Sequence, residues 1–297
     1  MSKPTNLFYI ERGNCDVGFK CDAIGNPYLP AYLSYRGSKN LLDIEGDHGR
    51  EFQADLIDGR LVAGHDFRFD TVNPTLGAGS FGRLIPTVES CEIYDNTVTV
   101  SLFPFDYTPE SFDKGAYRSR MIEGRYPECG WKMVVTYVVT SGGIHMITSA
   151  WHTDEQAHIV HQFRPSILYL NPELFQYPLV NEKYRDVDSW LSARINDYII
   201  RVKDVNDKVK VTFTGGVIGD DGTLTQRQFK ESTPEILDND GNAEVWEAMV
   251  YKEYQNKWVK KNEVFMGWGN IAVQPTRIKF DLAKFREKIM SALRRGR

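Results

Sequence analysis

Alternating apolar and polar residues, repeatedly folded back by short turns, constrain this chain more than any other feature. Residues 91–94 and 97–103 flank Asp95-Asn96, and residues 132–140 and 144–151 flank Ser141-Gly142-Gly143. Residues 51–57 and 60–66 flank Asp58-Gly59, while 208–214 and 223–229 are joined through 219–222. Glycine, asparagine and aspartate tolerate the positive backbone angles that a tight hairpin requires. Sequential hairpins build antiparallel sheets. The expected fold is therefore β-rich, mainly an antiparallel sandwich or barrel with a few helices, α+β overall. No alternation of strand and helix is visible, which argues against a parallel nucleotide-binding sheet.

Two segments carry a helical period. Between 184 and 202, Val187, Trp190, Leu191, Ile195, Tyr198 and Ile199 recur at three- and four-residue spacing. At the end of the chain Asp281 is placed to cap a C-terminal helix bearing Leu282, Phe285, Ile289 and Leu293. Pro165, Pro172 and Pro178 interrupt the chain between the hairpins and the first of these helices. The expected division is an antiparallel β domain over 1–180 and a smaller α+β region with the C-terminal helix over 181–297.

Composition narrows the functional classes. A net charge of −4 argues against whole-surface binding of nucleic acid. The basic end, Arg294-Arg295-Gly296-Arg297, is the one segment suited to an acidic partner, and it equally complements a helix dipole. Four cysteines, Cys15, Cys21, Cys91 and Cys129, are too scattered for a disulfide framework. No secretory leader is visible, and the longest apolar stretch, 133–139, is far shorter than a bilayer span. The expectation is a reduced, cytoplasmic product with no membrane partner.

Side chains capable of proton transfer or metal ligation gather in one place. Four of the 6 histidines, His145, His152, His158 and His161, crowd a single stretch with Glu155 among them. His152, Glu155, His158 and His161 are the candidate metal ligands, since imidazole with carboxylate is a common zinc or iron set. On a helix, His152 and His161 would point to opposite sides. On a strand, His158 and His161 would lie on opposite faces. A third arrangement makes 153–156 a tight turn, so that one histidine from each arm meets across it. The blander reading is a set of half-exposed strand residues.

His48 and His65 each stand beside an aspartate, but the register of an Asp58-Gly59 hairpin would place His65 opposite Phe52 and His48 roughly 14 Å away. Asp238-Asn239-Asp240-Gly241 with Glu247 lacks the first acidic ligand of a calcium loop, and Asp220-Asp221-Gly222 reads as a plain turn. Gly77–Gly82 has no strand and helix around it, so it reads as a surface loop. No nucleophile elbow or dinucleotide fingerprint is present, so no catalytic residue and no cofactor are expected.

The segment 244–268 is rich in tryptophan and lysine, with Trp246, Trp258, Lys260, Lys261 and Trp268. It reads as a hairpin around 255–257, with 245–254 also readable as helix. Its Trp-Val-Lys-Lys-x-x-Glu-Val-Phe-like pattern resembles short β units of bacteriophage tail and other virion structural proteins. The resemblance implies a structural subunit of a large assembly that packs against other protein subunits, including copies of itself. Phe103, Phe105 and Tyr107, alternating on one side, then suit a core edge or an interface. Two other readings stand beside it: a metal-dependent hydrolase or oxygenase using the histidine cluster, and a carbohydrate-binding β module.

Overall fold

The computed structural model describes residues 3–42, 52–60, 68–73, 86–107, 130–155, 158–171, 174, 177–180, 183–184, 199–203, 209–218, 224–226, 229–231 and 246–273. All regular structure among them is strand. The first strands are β1 (Phe8–Arg12), β2 (Cys15–Cys21), β3 (Pro27–Tyr35), β4 (Phe52–Arg60), β5 (Arg68–Asn73), β6 (Thr87–Tyr94), β7 (Thr97–Phe103) and β8 (Phe105–Tyr107). They are followed by β9 (Trp131–Thr140), β10 (Gly143–His152), β11 (His158–Leu170), β12 (Tyr177–Val180), β13 (Lys183–Tyr184) and β14 (Ile199–Lys203). The last five are β15 (Lys210–Ile218), β16 (Leu224–Gln226), β17 (Phe229–Glu231), β18 (Trp246–Val259) and β19 (Phe265–Val273).

Three antiparallel sheets result. A ten-stranded sheet runs β13-β12-β14-β15-β19-β10-β9-β7-β6, with β16 paired to β15. A six-stranded sheet runs β17-β18-β11-β4-β5-β8, and β1-β2-β3 form a third. Strand β9 shows why a sheet forms here. Its odd residues, Trp131, Met133, Val135, Tyr137 and Val139, are buried, while the even ones between them are half-exposed. A period of two turns one face toward a core. The large and six-stranded sheets meet there, with Phe52 of β4 edge-on to Phe213 of β15 at 6.2 Å. The third sheet joins the same core through Phe19, edge-on to Tyr137 at 5.6 Å.

The sheets approach most closely where β19 carries Gly267 and Gly269. A Cβ at either position would overlap Pro165 or Ser166 of β11. Pro165 cannot donate to a ladder, and the β11 register shifts between Phe163 and Ser166 against β18. The irregular stretch is stitched to the large sheet by two bonds. Thr148 Oγ1 donates to the Pro165 carbonyl at 3.0 Å, and Ser166 Oγ to that of Trp268 at 3.3 Å.

Several expectations hold. The Asp95-Asn96 hairpin joins β6 to β7 with Asp95 at φ 53, Ser141-Gly142 joins β9 to β10, and β15 returns as β16. Others are corrected. Asp58-Gly59 is not a turn but lies inside β4, which pairs with β5 from Arg60↔Arg68 onward. The strand continues through the glycine because β11 and β5 hold it on both sides. The 255–257 hairpin is likewise replaced by the unbroken 14-residue strand β18, and the turn comes at 260–263. That also removes the helical reading of 246–254.

Residues 199–202 are strand β14, paired along its length with β15, not the end of a helix. Their β-branched run finds ladder partners that outweigh a local helical period. Residues 185–198 and the C-terminal helix lie outside the described residues, as do His48, His65, Gly77–Gly82, Asp220–Gly222, Asp238–Gly241 and Cys129. Phe103 and Phe105 belong to different sheets, because Pro104 separates β7 of the large sheet from β8 of the six-stranded one.

Cys15, Cys21 and Cys91 are free thiols. Burial pushes the Cys15 thiol up to about 12 and that of Cys91 up to about 11. Since the thiolate is the nucleophile, Cys15 is expected to stay unmodified by a thiol reagent at pH 8 until the chain unfolds. Mass mapping after brief alkylation, with and without denaturant, checks this. Labelling of Cys15 in the native protein would contradict it.

Candidate functional site

Two groups of side chains on β10 face opposite ways. His145, Ile147, Ser149 and Trp151 alternate with Ile144, Met146, Ala150 and His152, and the last four turn inward between the sheets.

The inward group ends in a cluster. His152 closes β10, His158 opens β11, and residues 153–157 carry the chain from the large sheet to the six-stranded one. The two rings meet across this connection with centroids 4.6 Å apart. Asp154 lies between them. Its Oδ1 accepts a hydrogen bond from His158 Nε2 at 2.8 Å and lies 3.5 Å from His152 Nδ1. One ligand atom from each of the three residues falls within 4.8 Å of the others. Trp131 walls the cluster, with its ring centroid 5.7 Å from that of His152 and 5.5 Å from that of His158. Gly130, at φ +69, leaves the space that the Asp154 carboxylate fills, since a Cβ there would overlap it.

Of the sequence-proposed ligands, only His152 and His158 come together. Glu155 is exposed and pairs with Lys261 across the neighbouring turn. The His161 side chain lies outside the described residues. Asp154 was the missed member. The turn reading of 153–156 was the signal that could have found it, because a short connection carries its own carboxylate back between its arms.

The outward group forms a row across three adjacent strands. His145 stands opposite Asn270 of β19, and Asn270 opposite Thr214 of β15. Asn270 Nδ2 donates to Thr214 Oγ1 at 3.4 Å. Asn270 and Thr214 are buried, His145 half-exposed. One row further on, Trp268 stands opposite Ile147. Trp268 is fully buried yet not part of the core between the sheets. It lies on the same face of the large sheet as Asn270 and Thr214, opposite to the face that packs on β11.

No protein-family model and no curated protein matches the chain. Solved structures do. A galactose mutarotase-like protein from Lactobacillus casei aligns over 90% of this chain and 100% of its own, with a TM-score of 0.54 and 9% identity. A galactose mutarotase related enzyme from Lactobacillus acidophilus aligns over 91% and 98%, with a TM-score of 0.50 and 10% identity. The chain shares their fold.

These likenesses overturn the expected virion subunit and the resemblance of 244–268 to phage tail proteins. The physical reason lies in how that segment is used. Its tryptophans belong to two strands, β18 and β19, of different sheets, and Lys260 and Lys261 lie in the turn between them. Trp258 is exposed on one and Trp268 buried on the other, so they form no single packing unit.

Proposed function

We propose that this protein binds an aldose on the outer face of the ten-stranded sheet and interconverts its anomers. The observation that carries the reading is the row His145–Asn270–Thr214 beside Trp268. Sugar sites combine aromatic residues with a few fixed polar groups, and strand register brings the half-exposed His145 into line with Asn270 and Thr214 on the face that carries Trp268. The fold's likeness to galactose mutarotase-like proteins supports the same class. It favours the carbohydrate reading of the sequence over assembly.

Anomer exchange needs only proton transfers. A base removes the proton of the anomeric hydroxyl, an acid protonates the ring oxygen, and the bond between that oxygen and the anomeric carbon breaks. The aldehyde turns and the reverse steps close the ring from its other face. His145 is the residue suited to carry a proton here, because imidazole titrates near neutral pH. Asn270 and Thr214 would orient the sugar hydroxyls.

Proton NMR of freshly dissolved α-D-galactose and α-D-glucose tests the proposal. The wild type is expected to accelerate anomer exchange, and His145→Ala to lose roughly 10²- to 10⁴-fold of kcat. Asn270→Ala should act mainly on KM. Exchange at the spontaneous rate, with no saturation transfer to any aldose tried, would sink the proposal. So would a His145→Ala variant as fast as the wild type.

A further inference from the structure

We propose that His152, Asp154 and His158 bind one divalent transition-metal ion, zinc by the chemistry of the set, at the corner where the chain passes between sheets. The site is separate from the sugar face, since His152 points inward and His145 outward along the same strand.

The geometry of His152 carries the inference. Its Nε2 lies 3.3 Å from the Val259 carbonyl, which can only accept, so the ring's hydrogen sits on Nε2. This second contact fixes the tautomer, as outer partners of metal-binding imidazoles do. The lone pair of Nδ1 is thereby turned into the cluster. His152 is 2% exposed, and Nδ1 has no hydrogen-bond partner. A buried acceptor facing a carboxylate oxygen at 3.5 Å is unfavourable unless something positive lies between them.

The donor set suits such an ion. Two imidazoles and one carboxylate form an open three-ligand zinc set, with a fourth position for water. Ligand atoms on tetrahedral zinc stand roughly 3.3 Å apart, given bonds of about 2.0–2.1 Å. The observed separations of 2.8 and 3.5 Å need only small adjustment. On binding, His158 Nε2 gives up the hydrogen it shares with Asp154, and the neutral ring takes the Nδ1–H form. Asp154, its side chain 28% exposed, provides the way in. Trp131, fully buried, walls the inner side of the site.

Titration of the chelator-stripped full chain with Co²⁺, followed by Zn²⁺, tests this. The expected result is one Co²⁺ per chain with the visible absorption of a low-coordinate ion, bleached by one equivalent of Zn²⁺. Bound Zn²⁺ should also raise Tm, because it binds only the folded state. Asp154→Asn keeps an oxygen for His158 and changes a partly exposed residue, so it should fold. Its Co²⁺ affinity should fall by more than the roughly 10- to 100-fold that losing an outer partner causes. His152→Gln, which removes the inward lone pair of the ring, should weaken binding at least as much. No saturable binding at one ion per chain would overturn the proposal, as would unchanged affinity in Asp154→Asn. Anomer exchange by the stripped protein is expected to persist, so the metal site and the sugar site fail or stand independently.

Discussion

Trp131→Ala is expected to lower the stability of the folded chain by about 3–5 kcal/mol, the range for deleting a buried aromatic side chain. Trp131 is fully buried and opens β9, where its ring packs against those of His152, His158 and Phe265. These neighbours come from three strands, β10, β11 and β19, that belong to both large sheets. Collapse of all three around the void would break ladders on each, so little of the cavity can be refilled. Urea unfolding should show a lower midpoint at unchanged m-value. A loss below about 1.5 kcal/mol would mean that the corner is loosely packed, against the burial seen here. Trp131→Phe keeps an aromatic wall and should lose less.

Gly143→Ala should be strongly damaging for a single-methyl change. Gly143 follows the Ser141-Gly142 turn with φ +147, a backbone angle that side chains rarely adopt. An added Cβ would also run into the Ile271 carbonyl of the adjacent strand β19. That neighbour is backbone in the centre of a ten-stranded ladder and has no rotamer to give. Dihedral strain and overlap together are expected to exceed about 4 kcal/mol, beyond the usual range for a point change. Gly37→Ala separates the two causes. Gly37 has φ +72 but nothing within 4 Å of the added atom, so it should lose only about 1–2 kcal/mol. Thermal melts of both variants check the contrast, and equal losses would remove the argument from overlap.

The hairpins that were legible in the sequence share one property. At Asp95-Asn96 and Ser141-Gly142, turn residues coincide with the ends of clean alternation, as on β9. Where the two signals disagree, turn chemistry alone misleads. Asp58-Gly59 and 255–257 look like turns, but the first is held extended within β4 between β11 and β5, and the second runs on within β18, paired to β11 at Lys257. The ladder bonds of a central strand satisfy more backbone groups than an isolated turn could. At 199–202 the expected end of a helix gives way to strand for a related reason, because β14 gains ladder partners on β12 and β15.

The candidate sites divide in the same way. That His152 and His158 stand across a short connection follows from their spacing and from the polar residues 153–156. Which carboxylate joins them does not, because Asp154 and Glu155 are adjacent and differ only in where the backbone aims them. The glycine at 130, just ahead of β9, makes room for Asp154, while Lys261 draws Glu155 outward. The row of His145, Asn270 and Thr214 was out of reach of any local reading. Its members lie 56 to 125 positions apart and meet through strand register alone.

Local chemistry therefore settled the class of this chain, an antiparallel β protein with His152 and His158 on either side of a short connection. Alternation and turn propensity act over a few residues and survive in any context. The order of the strands, the face on which each polar residue falls and the company each histidine keeps arise from pairings over long stretches of chain. Those pairings are chosen by burial of whole faces at once, which no short segment can specify. Function rests on that second level. The His145 row and the His152 corner lie on opposite faces of one strand, and the neighbours brought to each face give the two groups their different chemistry.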